Sequence, residues 1–190
     1  MNEKTVGFAL CGSFCTFSKA MKEMTKLVQS GYNVIPIMSD TAYSTDTRFG
    51  KSEEIISEIE RISGRRVIHT IADAAPIGPK KMCDLLLVSP CTGNTLSKLS
   101  LGITDTPVTM AVKSHLRIKR PVLLCVATND GLGASAQNIG RLMNTKNIYF
   151  VPLSQDNPED KPTSLVADFE RIPECVEAAL SGVQTQPLYF

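Results

Sequence analysis

Three observations predict an α/β fold, a three-layer, doubly wound architecture around a mainly parallel sheet. Short apolar runs alternate with helical patterns along the whole chain, as repeated βα units require. The run at residues 85–88 is apolar at every position rather than every second one, the pattern of a strand buried on both faces. Two of the apolar runs pass directly into junctions rich in Gly, Ser and Thr that precede helical patterns, the place where open α/β sheets bind ligands.

The elements follow in order. Strands are expected at residues 6–10, 33–38, 66–70, 85–88, 122–127 and 148–151. The first helix carries Ala20, Met21, Met24, Leu27 and Val28 on one face, runs to about Ser30 and stops at Gly31. Ser52 is placed to cap the next helix, with Glu53 and Glu54 in its first turn, Ile55, Ile56, Ile59 and Ile62 inward, and Gly64 at its end. Ser89-Pro90 is expected to end the fourth strand, before a helical pattern resumes at Leu96, Leu99 and Leu101. Thr106-Pro107 pairs a cap with Pro at the first helical position, and that helix runs to about Ile118. Residues 135–144 place Ala136, Ile139, Leu142 and Met143 at helical spacing, and Pro173 starts a last helix that ends near Ser181-Gly182. Residues 152–162, rich in Pro, Asp, Asn and Glu, read as a surface loop. The loop at residues 41–50 follows the second strand and so lies on the ligand edge of the sheet.

Residues 92–95 (Thr-Gly-Asn-Thr) stand where a buried strand meets a helix start. Backbone N–H groups there are unpaired and the helix dipole is positive, so the junction suits a phosphate. Thr92 and Thr95 add hydroxyl donors, Gly93 leaves room for a ligand to approach the backbone, and Thr92 or Asn94 would also serve as a plain helix cap. Residues 11–15 (Cys-Gly-Ser-Phe-Cys) form a second junction of the same kind. The dinucleotide fingerprint G-x-G-x-x-G and the Walker motif are absent, which disfavours a simple NAD site.

The chain of 190 residues is long enough for one domain, residues 1–190, with a well-buried core. A net charge of +1 with interspersed signs offers no case for nucleic acid, and the locally basic residues 113–120 alternate with apolar ones as a solvated helix face does. No apolar stretch approaches the ~20 residues that cross a bilayer, and no signal-peptide pattern opens the sequence, so a soluble, cytoplasmic protein is expected. Six cysteines without a C-x-x-C pair, and only two His, argue against a zinc site; no metal is expected. Cys15 and Cys91 are the only cysteines expected to touch a ligand, and packing is the first expectation for both.

These junctions resemble those of the homo-oligomeric flavin-containing cysteine decarboxylases, over nearly the whole chain. Residues 11–17 are similar to that family's T-G-S-I-A-A-Y motif, and residues 90–105 (PCTGNTLSKLSLGITD) to its signature P-A-S-x-N-T-[IL]-[AS]-K-x-A-x-G-[IV]-[AT]-D. The resemblance implies a Rossmann-like flavoprotein fold, a homo-oligomer, and FMN. Its phosphate and ribityl chain would lie among Gly12, Ser13, Phe14, Ser39, Thr92, Asn94 and Thr95.

The departures are as informative. Where the decarboxylases carry an acid/base His, this chain has Pro76, and His69 stands seven residues earlier. The substrate motif P-A-M-N is replaced by Val126-Ala127-Thr128-Asn129, and the R-E-T-P of flavin prenyltransferases has no counterpart. Both activities are therefore disfavoured, and the catalytic residues stay unassigned. The stretches at residues 76–99 and 127–144 resemble a branch that forms one subunit of a two-subunit oxidoreductase in spore-forming bacteria. That resemblance implies a partner subunit like an NAD(P)-binding dehydrogenase. The pair would oxidise a dihydro-dicarboxylate to pyridine-2,6-dicarboxylate in the mother cell of a sporulating bacterium. Asn129, Ser135 and Gln137 are the neutral candidates for substrate carboxylates, and Arg48, Lys80 and Lys81 the charged ones. A stand-alone FMN-dependent decarboxylase and a non-catalytic scaffold subunit are the alternatives.

Overall fold

The computed structural model describes residues 4–190. Five strands run parallel, β1 (Thr5–Leu10), β2 (Asn33–Met38), β3 (Leu85–Cys91), β4 (Val122–Thr128) and β5 (Ile148–Phe150), in the spatial order β2-β1-β3-β4-β5. Two short strands, β6 (Leu153–Ser154) and β7 (Leu165–Ala167), pair antiparallel, and β7 adds antiparallel to the carboxyl end of β4 through Ala127 and Thr128. The outer edge of β4 is thus shared, with β5 along its first half and β7 along its last two residues.

The described helices are α1 (Phe17–Gln29), α2 (Asp40–Ser44), α3 (Ser52–Ser63), α4 (Ile71–Ala74), α5 (Gly93–Leu101), α6 (Pro107–Arg117), α7 (Ala136–Met143) and α8 (Ile172–Leu180). Helix α1 contacts α3 and α8 on one face of the sheet; on the other, α6 contacts α4 and α5, and α5 contacts α7. All seven residues of β3 are buried between the two layers, as the wholly apolar run at residues 85–88 requires. No described helix is long and apolar enough to cross a membrane. The alternation of the sequence thus folds into the expected three layers.

Four expectations need correction. Residues 66–70 do not form a strand. Only Ile68 bridges the sheet, its N–H donating to the Pro36 carbonyl at 2.9 Å and its carbonyl accepting from Met38 N–H at 2.9 Å. Gly64, at φ 65°, ends α3 just before this segment, and Thr70 already caps α4 by accepting from Asp73 N–H, which leaves too little extended chain for a ladder. Ser52 is not a cap either. It is the first residue of α3, and its N–H and hydroxyl both donate to Asp46 Oδ1, at 2.8 and 2.9 Å, so the free donor is satisfied from outside the helix.

Ser89-Pro90 does not end β3. The strand continues to Cys91 with a shift of register between Val88 and Cys91, because Pro90 has no N–H to give the ladder. Finally, residues 152–162 are not wholly irregular: Leu153 and Ser154 form β6, and the rest is the tip of the β6–β7 arm.

Candidate functional site

Chain order reverses between β1 and β3. β1 leads outward to β2 on one side, and β3 leads to β4 and β5 on the other, so the two ends diverge and leave a crevice at their carboxyl edge. Register brings both junctions to that crevice. Val6 pairs with Leu85 and Ala9 with Val88, and Cys11 N–H donates to the Pro90 carbonyl at 3.2 Å. Gly12 and Thr92 therefore face each other from adjacent strands.

Each junction is shaped locally. Thr92 is the N-cap of α5: its Oγ1 accepts from Thr95 N–H at 3.3 Å and lies 3.1 Å from Thr95 Oγ1. Ser39 caps α2 in the same way, accepting from Ala42 N–H at 3.2 Å. A capping oxygen uses a lone pair on the helix and keeps a hydroxyl hydrogen for another acceptor. After β1, a short 3-10 turn (Phe14–Thr16) separates Gly12 and Ser13 from α1, and Thr16 Oγ1 donates to the Ser13 carbonyl at 2.8 Å.

Two cavities open on either side of the Gly12–Thr92 pair. One, of about 460 Å³, lies over the ends of β1, β2 and β3, and is lined by Gly12, Ser39, Thr92, Asn94 and Thr95. The other, of about 550 Å³, lies over the ends of β1, β3 and β4, and is lined by Gly12, Ser13, Phe14, Thr92 and Asn129. All seven residues placed around the flavin phosphate and ribityl chain by resemblance thus border one or both cavities.

The first cavity is rich in hydroxyl groups and contains a neutralised acid. Lys98 donates to both oxygens of Asp105, at 2.8 and 2.9 Å, and holds that carboxyl below its usual range. Cys11 at its floor is not a thiolate at neutral pH, since burial pushes the thiol up to about 11. Cys91 is fully buried, pushed up by the same cause, and lines neither cavity, so the cysteines that border them are Cys15, exposed at the second, and Cys11 at the first, which the sequence did not single out. The hydrogen-bond donors of the first cavity, rather than its charge, suit FMN. Hydroxyls of Ser39, Thr92 and Thr95, with the N-terminal N–H groups of α5, would hold its phosphate.

Gly93 lines the second cavity, as its position suggests, and has a second role within the protein. A Cβ on it would lie 2.6 Å from Thr128 Oγ1, 2.9 Å from Asp130 Oδ1 and 2.9 Å from Ser135 Oγ. The atoms such a Cβ would meet belong to a hydrogen-bonded cluster of the protein. Thr128 Oγ1 and Ser135 Oγ donate to Asp130 Oδ1 at 2.5 and 2.8 Å, and the Thr128 bond, followed by that of Ser135, keeps the Asp130 carboxyl below its usual range.

That cluster also separates the three neutral candidates. Asn129 lines the second cavity. Ser135 is buried, with its hydroxyl hydrogen committed to Asp130, and lines neither cavity. Gln137 is exposed on α7 and lines neither. Of the charged candidates, Arg48 borders the second cavity, its guanidinium 4.9 Å from the Phe49 ring centroid. Lys80 and Lys81 precede β3 and so lie at the amino edge, opposite the crevice. His69 stacks on Tyr43 with ring centroids 3.8 Å apart, and Pro76 lies in a 3-10 turn against α6.

Sequence reasoning missed Lys19, Thr128, Asp156, Lys161 and Ser164 at the second cavity. The last three ride on the β6–β7 arm, which is stitched to β4 where Thr163 Oγ1 donates to the Asn129 carbonyl at 2.7 Å. The available signal was the apolar triplet Leu165-Val166-Ala167, too short to stand out as a strand.

Comparison with known proteins agrees with this geometry. A family model described as Flavoprotein matches residues 1–181. The chain is 43% identical over 185 residues to the B subunit of dipicolinate synthase from Bacillus subtilis (strain 168), spanning 97% of this chain and 92% of that protein. The crystal structure of the corresponding dipicolinate synthase component from Bacillus halodurans C superposes with a TM-score of 0.90 at 46% identity, covering 98% of this chain and 96% of that one. The FMN-dependent cysteine decarboxylase SpaF shares the fold, with a TM-score of 0.68 at 18% identity over 95% and 96% of the two chains.

Proposed function

We propose, for a chain that belongs to the Flavoprotein family, the role of one subunit in a two-subunit dipicolinate synthase. In this role the chain binds a flavin phosphate at the crevice and a dihydrodipicolinate-type dicarboxylate beside it. The pair of subunits oxidises that substrate to pyridine-2,6-dicarboxylate during sporulation, and an NAD(P)-binding dehydrogenase-like partner carries the nicotinamide. One observation carries the proposal: the near full-length likeness to the B subunit of dipicolinate synthase, which includes both crevice junctions.

Gly12, Ser13, Phe14, Ser39, Thr92, Asn94 and Thr95 would hold FMN by its phosphate and ribityl chain. Bound FMN supplies a two-electron acceptor. The chain's own residues bind and orient. Ser39 presents a hydroxyl hydrogen while its oxygen caps α2, the Thr92–Thr95 hydroxyl pair keeps one hydrogen beyond the bond between them, and Asn129 presents an amide to the neighbouring cavity. The proton lost with the hydride needs an acceptor, and no residue of this chain is assigned that role. The partner therefore completes the active site, in a mixed oligomer built on a homo-oligomer of this chain.

A stand-alone cysteine decarboxylase is the weaker alternative. Pro76 has no proton to exchange, and losing a general acid or base typically costs 10²–10⁴-fold in rate. Reconstitution tests the proposal. The purified chain alone should not reduce NAD(P) with dihydrodipicolinate, and addition of the partner should produce reduction. Robust reduction by the isolated chain, or thiol decarboxylation abolished by His69→Asn, would overturn it.

A further inference from the structure

The two cavities differ in charge. The hydroxyl-lined cavity has two carboxylates, Asp40 and Asp105, against one cation, Lys98, which is already paired. The second cavity has three cations, Lys19, Arg48 and Lys161, against one carboxylate, Asp156. Among the described residues Lys19 and Arg48 make no ion pair, and Lys161 meets Asp156 at 3.3 Å in an exposed bridge, which contributes little by itself. An excess of cations facing one concave space raises the local concentration of anions and stabilises a bound dianion more than a monoanion.

Two of the cations are held out over the cavity by constructed devices. Arg48 and Phe49 form the tip of a tight turn closed by two reciprocal hydrogen bonds, Thr47 N–H to the Gly50 carbonyl and Gly50 N–H to the Thr47 carbonyl, each 3.1 Å. Gly50, at φ 145°, adopts a conformation that L side chains rarely take, and Asp46 ties the turn to the start of α3. The turn presents a guanidinium and an aromatic ring side by side.

Lys161 is presented by the β6–β7 arm. Thr163 and Ser164, just after it, donate to the carbonyls of Asn129 and Thr128 at 2.7 and 3.3 Å, which fixes the arm to the strand that forms the cavity's far wall. The Asn129 side-chain amide makes no hydrogen bond within the described residues and faces the same space.

We propose that Arg48 and Lys161, supported by Lys19, bind the two carboxylates of a flat heteroaromatic dicarboxylate in this second cavity, with its ring against Phe49. The proposal rests on the dipicolinate synthase assignment for its substrate class, and adds the residues that recognise both carboxylates. Arg48 accounts for one carboxylate by a planar two-donor contact and Lys161 for the other as a point charge.

Equilibrium dialysis with pyridine-2,6-dicarboxylate and with pyridine-2-carboxylate, in buffer free of divalent cations, tests this. The wild-type chain should prefer the dicarboxylate by about tenfold or more, a preference that shrinks with added salt. Arg48→Gln and Lys161→Gln should each weaken dicarboxylate binding about tenfold and remove most of the preference, while Lys81→Gln, at the opposite edge, should not. Thermal unfolding checks that each variant is folded, and the salt dependence of the wild type gives an independent reading. If the wild type binds the dicarboxylate and both variants bind it equally well, the residue assignment is wrong and the functional one stands. If the wild type binds neither compound, alone or with its partner, the functional assignment falls and takes this one with it.

Discussion

Gly93→Ala should destabilise the chain, although alanine is the better helix former. Gly93 opens α5, and its Cα faces the Thr128–Asp130–Ser135 cluster so closely that a methyl group would lie 2.6 to 2.9 Å from three oxygens, where ordinary contact begins near 3.4 Å. Relief requires either α5 or the end of β4 to move. A moved β4 end stretches the 2.5 Å and 2.8 Å bonds on Asp130, and a hydrogen bond to a charged group contributes roughly 1.5–3 kcal/mol. Overpacking a tight site costs about 1–3 kcal/mol, while the gain in helix propensity is at most about 1 kcal/mol. The expected net loss is about 3 kcal/mol, which for a chain of this length corresponds to a fall in Tm of roughly 6–12 °C. Scanning calorimetry measures it. Thr128→Ala removes the closest oxygen, so the double variant should lose less than the sum of the two single ones. A Gly93→Ala protein that melts at or above the wild-type temperature would refute the close-approach account, and with it the idea that this cluster fixes the start of α5.

Four further outcomes are expected. Thr95→Phe, in the cap hydroxyl pair, should weaken FMN binding about tenfold or more by fluorescence titration while Thr95→Ser retains it; unchanged affinity would exclude the cavity from phosphate binding. Gly78→Ala should prevent stable folding or cost about 4 kcal/mol or more, because its Cβ would meet the Ser114 carbonyl oxygen of α6; a normal melting curve would contradict this. His115 has no solvent exposure; burial, then the nearby Arg120, lowers its pKa to about 4. The folded state therefore binds this proton less readily than the unfolded state. Its pH-dependent contribution is intact above about 6.5 and is lost as pH falls towards 4, by about 3 kcal/mol in all, so urea unfolding should show a shallower acid slope in His115→Gln. Finally, light scattering at micromolar concentration should show a homo-oligomer, and a monodisperse monomer would contradict this.

Much of the fold was legible because burial leaves a local mark. Residues 85–88 of β3 read as apolar at every position because helices cover both faces of the strand, and the Thr106-Pro107 start of α6 reads correctly because a cap and a first-turn Pro act within one turn. The two strand–helix junctions were legible for the same reason: Thr92 caps α5 through a residue three positions away, and Gly12 closely follows its strand. Residues 66–70 misled because a short apolar run carries no information about whether a partner edge is free. Ser52 misled because its donors are satisfied by Asp46, outside the helix.

The sequence alone thus determined the layers, most helix boundaries and the two junctions that face each other across β1 and β3, all set by periodicity and chemistry within a few residues. Only the tertiary structure decided that Gly93 is also packed against the Asp130 cluster, that Ser135 spends its hydroxyl inside the protein, and that Arg48 and Lys161, more than a hundred residues apart, border one cavity. The physical reason is that an antiparallel arm, held by hydrogen bonds to the last residues of β4, carries a distant loop back over the carboxyl edge. Long-range strand pairing of that kind leaves no pattern in any short window of sequence.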